Sequence, residues 1–130
     1  MITEDYVSYG VARLLKDKGF DESIETLIRP DGVIYRLDDF TITNSEIKIY
    51  SDDVCCPTLQ MARKWLSDVH NIFISISIGY VGRESRKTYM WMPCICKSDH
   101  IEYPTEENFE APSEEEAIVD ALRYCLEHLI

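Results

Sequence analysis

Apolar and polar positions along the chain follow two periods, and the switches between them mark its elements. Val7, Val11, Leu14 and Leu15 fall at helical spacing and predict a first helix over 5–18. Lys16 and Lys18 stand in its last turn, where they complement the helix dipole. Gly19 supplies a left-handed stop, and Phe20 is placed to fold back on the helix end. A second stripe, Leu59, Ala62, Trp65, Leu66 and Val69, predicts a helix over 57–69, opened by Pro57. A third, Ala117, Ile118, Ala121, Leu122, Cys125 and Leu129, follows Ser113, a good N-cap. Glu116, three residues on, makes a capping box with Ser113.

Between the helices the period shortens. Ile24, Leu27 and Ile28 lead into Pro30-Asp31-Gly32, and Val33-Ile34-Tyr35 follow, which predicts a hairpin over 23–39. The alternation before that turn is imperfect, so the register stays open. Residues 46–50, Glu-Ile-Lys-Ile-Tyr, alternate cleanly and predict a third strand. Residues 72–80 form the clearest strand, with Ile72, Ile74, Ile76 and Ile78 on one face and Phe73, Ser75, Ser77 and Gly79 on the other. Four isoleucines in a row predict a tightly packed inner face. After a polar loop, 87–97 returns as its partner. Tyr89, Trp91 and Ile95 share one face, and Met90, Met92, Cys94 and Cys96 share the other. Pro93 has no N–H for a ladder and marks an edge or a bulge. Residues 98–112 read as an acidic loop. The expected fold is α+β, two-layered, an antiparallel sheet of β-hairpins with three helices in the order α-β-β-β-α-β-β-α. With no repeat or linker in 130 residues, 1–130 reads as a single domain.

Charge adds a second layer. The net charge is −11. Residues 1–97 carry 14 acidic and 12 basic side chains, whereas 98–130 carry 10 acidic side chains and one Arg. The acidity therefore belongs to the C-terminal quarter, and such a surface disfavours direct nucleic-acid binding. It suits a basic protein partner or imitation of nucleic acid, and the plain alternative is a solvated face. Glu106, Glu107 and Glu110 are the candidate residues of that surface. No run of 18 apolar residues is present, so no membrane span is expected, and the acidic start, Met1 to Asp5, is unlike a signal peptide. A cytoplasmic setting is expected.

Catalytic motifs are scarce. Cys55-Cys56 and Cys94-x-Cys96 offer four thiols that would suit zinc if they met in space, but neither pair has the Cys-x2-Cys spacing of a knuckle. Small buried hydrophobes are the alternative reading for Cys94, Cys96 and Cys125. An odd count of five cysteines points to reduced thiols. Cys56, just ahead of the second helix, is a candidate nucleophile with His70 or His100 as its base, although nothing places a His beside it. His70 reads more simply as a helix-end residue. No His-Glu-x-x-His, phosphate loop or Gly-x-Ser-x-Gly is present. The expectation is therefore no catalytic, metal or cofactor-binding residue and no cofactor, with any small-molecule ligand left unspecified. Tyr6, Tyr9, Tyr80, Tyr89, Trp91 and Tyr103 exceed what one small core hides, and such residues are enriched at interfaces. Tyr89 and Trp91 are the candidate interaction residues, with core packing as the alternative. A protein partner or self-association is expected.

Three stretches carry a family resemblance: Val7-Ser8-Tyr9 through Lys16-Asp17-Lys18-Gly19-Phe20-Asp21, Pro57 to Leu66 through Val69-His70-Asn71-Ile72, and the Ser113 to Ile130 helix. With them the chain resembles a group of small uncharacterised proteins of gut Bacteroides-type bacteria and their prophages or mobile elements. The resemblance implies a bacterial or phage origin and a cytosolic setting. It brings no site residue onto this chain. The leading functional expectation is a non-enzymatic binding or accessory protein. An acidic nucleic-acid-mimicking inhibitor and a small cysteine-dependent enzyme are the alternatives.

Overall fold

The computed structural model describes residues 5–47, 51–81, 88–97, 100–102 and 113–130, and for 79–81, 88–90 and 100–102 the backbone alone. The fold is α+β, with three helices and antiparallel strands. Among the described residues the strands form two three-stranded sheets, ordered β2-β1-β3 and β4-β5-β6.

Helix α1 (Tyr9–Asp17) starts later than its apolar spacing suggests. Ser8 is the N-cap, its hydroxyl accepting from the Val11 N–H at 3.3 Å. The residues before it run extended against the entry to α2: the Val7 N–H bonds Pro57 O at 3.1 Å and the Leu59 N–H bonds Asp5 O at 2.9 Å. The predicted stop is present. Gly19 sits at φ +95°, the Phe20 N–H reaches Leu15 O at 2.9 Å and the Gly19 N–H reaches Lys16 O at 3.1 Å, a Schellman motif that buries Phe20.

The first hairpin pairs β1 (Thr26–Ile28) with β2 (Ile34–Arg36), with Leu27 opposite Tyr35. Gly32 at φ +90° closes the turn by donating to Arg29 O at 2.8 Å. Strand β3 (Val54–Cys55) adds to the other side of β1. Of the strand expected at 46–50, the described residues Glu46 and Ile47 are not in a strand. Residues Asn44–Glu46 form a 3-10 turn, because the Glu46 carboxylate captures the Thr43 N–H at 3.1 Å and its hydroxyl at 2.9 Å. Residues 48–50 lie outside those described.

Helix α2 (Leu59–His70) is capped by Thr58, whose Oγ1 accepts from the Met61 N–H at 3.1 Å, and ends at Asn71 in the left-handed region. Pro57 therefore precedes the cap. Leu59, Ala62, Trp65 and Leu66 are buried, whereas Val69, expected among them, rims a hollow floored by Phe20 and Trp65. Strands β4 (Ile72–Val81) and β5 (Thr88–Lys97) form a long hairpin without a bulge, from Ile72 opposite Lys97 to Val81 opposite Thr88. A short β6 (His100–Glu102) pairs with the base of β5, where a loop was expected.

Helix α3 (Glu114–Tyr124) has the predicted Ser113 cap, with the Glu116 N–H on its Oγ at 3.2 Å, and continues as a π-turn over Cys125–Leu129. Helices α2 and α3 pack on the second sheet, and α1 packs on β3 and α3. A single apolar cluster joins both sheets and all three helices.

Candidate functional site

The β4–β5 hairpin is longer than the helices that cover it. Ten strand residues span about 33 Å, whereas the twelve of α2 span about 18 Å. The inner isoleucine row records the difference. Ile72 is 1% exposed and Ile74 8%, Ile76 is half-buried, and Ile78 is 53% exposed. The expected packed inner face is thus packed in its lower half only. Trp91, directly across from Ile78, is half-buried. On the opposite face Phe73 and Met92 are exposed. The upper hairpin is an arm carrying apolar side chains on both faces.

Sheet order leaves β4 paired with β5 alone among the described residues. Arg63, on α2, donates from Nη2 to Ile74 O at 2.6 Å, so that carbonyl points away from β5. In an unbulged strand the direction alternates, so the backbone groups of Ile76 and Ile78 also point away from β5. The same alternation explains Pro93. It stands opposite Ile76, at a position whose backbone faces away from β4, so its missing N–H removes no bond from the hairpin. Next to Ile74, the base of the edge is occupied by a shallow hollow of about 290 Å³ lined by Gln60, Arg63, Lys64, Ser67, Phe73 and Ile74.

The sequence candidates distribute as follows. Trp91 lies on the arm as expected. Tyr89 is paired with Tyr80 there, its side chain outside those described. Glu106, Glu107, Glu110 and Tyr103 lie outside the described residues. Tyr6 is exposed, and Tyr9 is half-buried with its hydroxyl donating to Asp52 O at 2.9 Å. Phe73 and Ile78 were assigned to strand faces by sequence, but nothing in the alternation marks them as exposed.

The cysteines do not assemble. Cys55 is in β3 and Cys56 follows it, in the first sheet, while Cys94 and Cys96 lie on β5 in the second. Among the described residues no three His, Cys, Asp or Glu side chains gather at metal-binding distance. Cys56 is fully buried, and its thiol donates to Val7 O at 3.4 Å. Burial pushes it up to about 11, the reverse of the shift that activates a thiol. Burial, with Asp21 and Glu46 adding, pushes Cys55 up to about 12. Cys56 also stands two residues ahead of the Thr58 cap, outside the first turn of α2. His70 packs its ring edge-on to Trp65, centroids 4.8 Å apart, with Nε2 buried and without a hydrogen bond.

No helix among the described residues is long and apolar enough to cross a membrane. Compared with protein-family models, curated proteins and solved structures, the chain matches none of them.

Proposed function

We propose that this chain is a non-enzymatic binding or accessory protein that engages a protein partner through the β4–β5 arm. The supporting observation is the exposure gradient along one isoleucine row, from 1% at Ile72 to 53% at Ile78, on a strand whose second edge is unpaired among the described residues. An apolar ribbon projecting beyond its own core gains by being covered. A strand edge supplies backbone groups for recognition, and alternate side chains supply selectivity. Trp91 beside Ile78 is the kind of large, partly buried side chain that anchors interfaces. The buried thiols give no support to the cysteine-enzyme alternative.

The test compares retention of lysate proteins from a gut Bacteroides-type bacterium, the setting the resemblance implies, on immobilised chain and on its Ile78→Lys variant. Ile78 is half exposed, so the variant is expected to keep the fold. Loss of a specific retained protein with Ile78→Lys supports the arm as the interface. Equal retention by both overturns it.

A further inference from the structure

We propose that Cys94, Cys96 and Met92 form a binding site for a soft monovalent metal ion, copper(I), on the outer face of strand β5. The site is separate from the arm interface, because it lies on the strand face opposite Ile78 and Trp91.

Cys94 and Cys96 are not placed as core residues. The apolar cluster takes in Cys55, Cys56 and Cys125 but neither Cys94 nor Cys96, which are half-buried. Pro93 and Ile95, which alternate with them, are buried, so the two cysteines face away from the core. Their cross-strand neighbours describe the surface they occupy. Phe73 stands opposite Cys96, Ser75 opposite Cys94 and Ser77 opposite Met92, and all three neighbours are exposed. Met92 is itself 39% exposed. Three sulfur side chains thus follow one another along a face turned from the core, with two small serines beside them that leave room for an approaching ion.

Strand geometry favours an ion between the cysteines over a bond between them. Alternate residues of a strand lie about 6.6 Å apart and project in nearly parallel directions. A disulfide prefers Cα atoms about 5.5–6 Å apart and side chains turned toward each other, so this pair closes on itself only with strain. Two metal–sulfur bonds of about 2.3 Å leave the sulfurs about 4.5 Å apart, which a small lean of each side chain supplies. The donor set names the ion. Thiolate and thioether are soft donors and select copper(I). A structural zinc site takes four ligands, and among the described residues no third His, Cys, Asp or Glu joins the pair. Calcium and magnesium require oxygen ligands. On binding, each thiol releases its proton to solvent and two copper–sulfur bonds replace two S–H bonds. Met92 donates a sulfur lone pair, and the copper keeps its oxidation state.

The experiment is an anaerobic titration of the full, reduced chain with copper(I) held by a chromophoric chelator, followed by loss of the chelator's colour. The chain is expected to withdraw one copper(I) per molecule. Cys94→Ser with Cys96→Ser is expected to weaken uptake roughly a hundredfold or more, and Met92→Leu roughly tenfold. Zinc(II), offered in the same way, is expected to stay with its chelator. The substituted side chains are partly exposed, so the variants are expected to keep the fold, which circular dichroism checks. The double variant retains Cys55, Cys56 and Cys125, so undiminished uptake by it assigns the ion to them and overturns the site. A parent chain that withdraws no copper(I) overturns it as well, and so does uptake indifferent to Met92→Leu or zinc held as tightly as copper. Ile78 is unaltered in every variant, so these outcomes and those of the lysate comparison stay separate.

Discussion

Asn44 joins two parts of the chain that are distant in sequence. Its Nδ2 donates to Phe20 O at 2.8 Å, at the end of α1, and its Oδ1 accepts the Cys55 N–H at 3.0 Å, on the outer side of β3. The side chain is 6% exposed. Asn44→Ala leaves a carbonyl and an amide unpaired in the interior, and is expected to lower unfolding free energy by about 2–4 kcal/mol in urea titration. A loss under about 0.5 kcal/mol would show that the bridge is dispensable. Nothing in the sequence pattern singles out Asn44, because its role depends on partners that only the fold brings near. Asp120 acts in the opposite sense. Burial raises its carboxyl, the neighbouring Glu116 adds to the rise, and Arg123 opposes it. A raised carboxyl holds its proton more tightly when folded, so its stabilising contribution is present at acid pH and lost as pH rises through the folded value. Asp120→Asn is thus expected to gain a few tenths of a kcal/mol at neutral pH and nothing well below the carboxylate range, read from melts at both pH values. At the same scale, mass mapping of alkylated thiols at neutral pH is expected to find Cys94 and Cys96 modified well before Cys55 and Cys56, which burial holds in the thiol form. Prompt native-state labelling of Cys56 would restore the nucleophile reading.

Single elements differ in how far local pattern determines them. The stop of α1 at Gly19, the Ser113 cap of α3 and the hairpin turn at Gly32 are legible because they follow from backbone geometry within a few residues. Strand β1 is less so: Thr26, Leu27 and Ile28 are all buried in a central strand, so no alternation survives to be read. Strand β3 is two residues long, too short for any alternation to show. In β4 the alternation is right and its depth is not, since period says which face a side chain takes but not where the covering helices end. That difference is measurable. Ile74→Ala is expected to cost about 2–4 kcal/mol, as in other cores, and Ile78→Ala less than about 1, by denaturant unfolding. Equal losses at the two positions would mean that the arm is covered in solution.

For the whole molecule, net charge and packing pull in different directions. The chain carries −11, of which the last 33 residues contribute 10 acidic side chains against one Arg. Part of that charge crowds the first turn of α3, where Glu114, Glu115 and Glu116 are exposed near the positive helix end. At the other end of the same unit, Lys97 Nζ donates to Leu129 O at 2.8 Å and Lys18 Nζ to Ile130 O at 3.1 Å, so cations from β5 and from the end of α1 hold the terminal turn. The ion pairs Arg29–Asp31, Arg36–Glu25 and Arg123–Glu127 are exposed and contribute little. Self-repulsion of the acidic surface is then the largest charge effect that salt can reach, while the apolar cluster linking the two sheets is indifferent to screening at moderate ionic strength. Raising sodium chloride from low to physiological concentration is expected to raise the melting temperature by a few degrees, equivalent to roughly 1 kcal/mol. A melting temperature that falls with salt would place the weight on the two lysine contacts at the terminal turn, and Lys97→Met would then reproduce the loss at low salt.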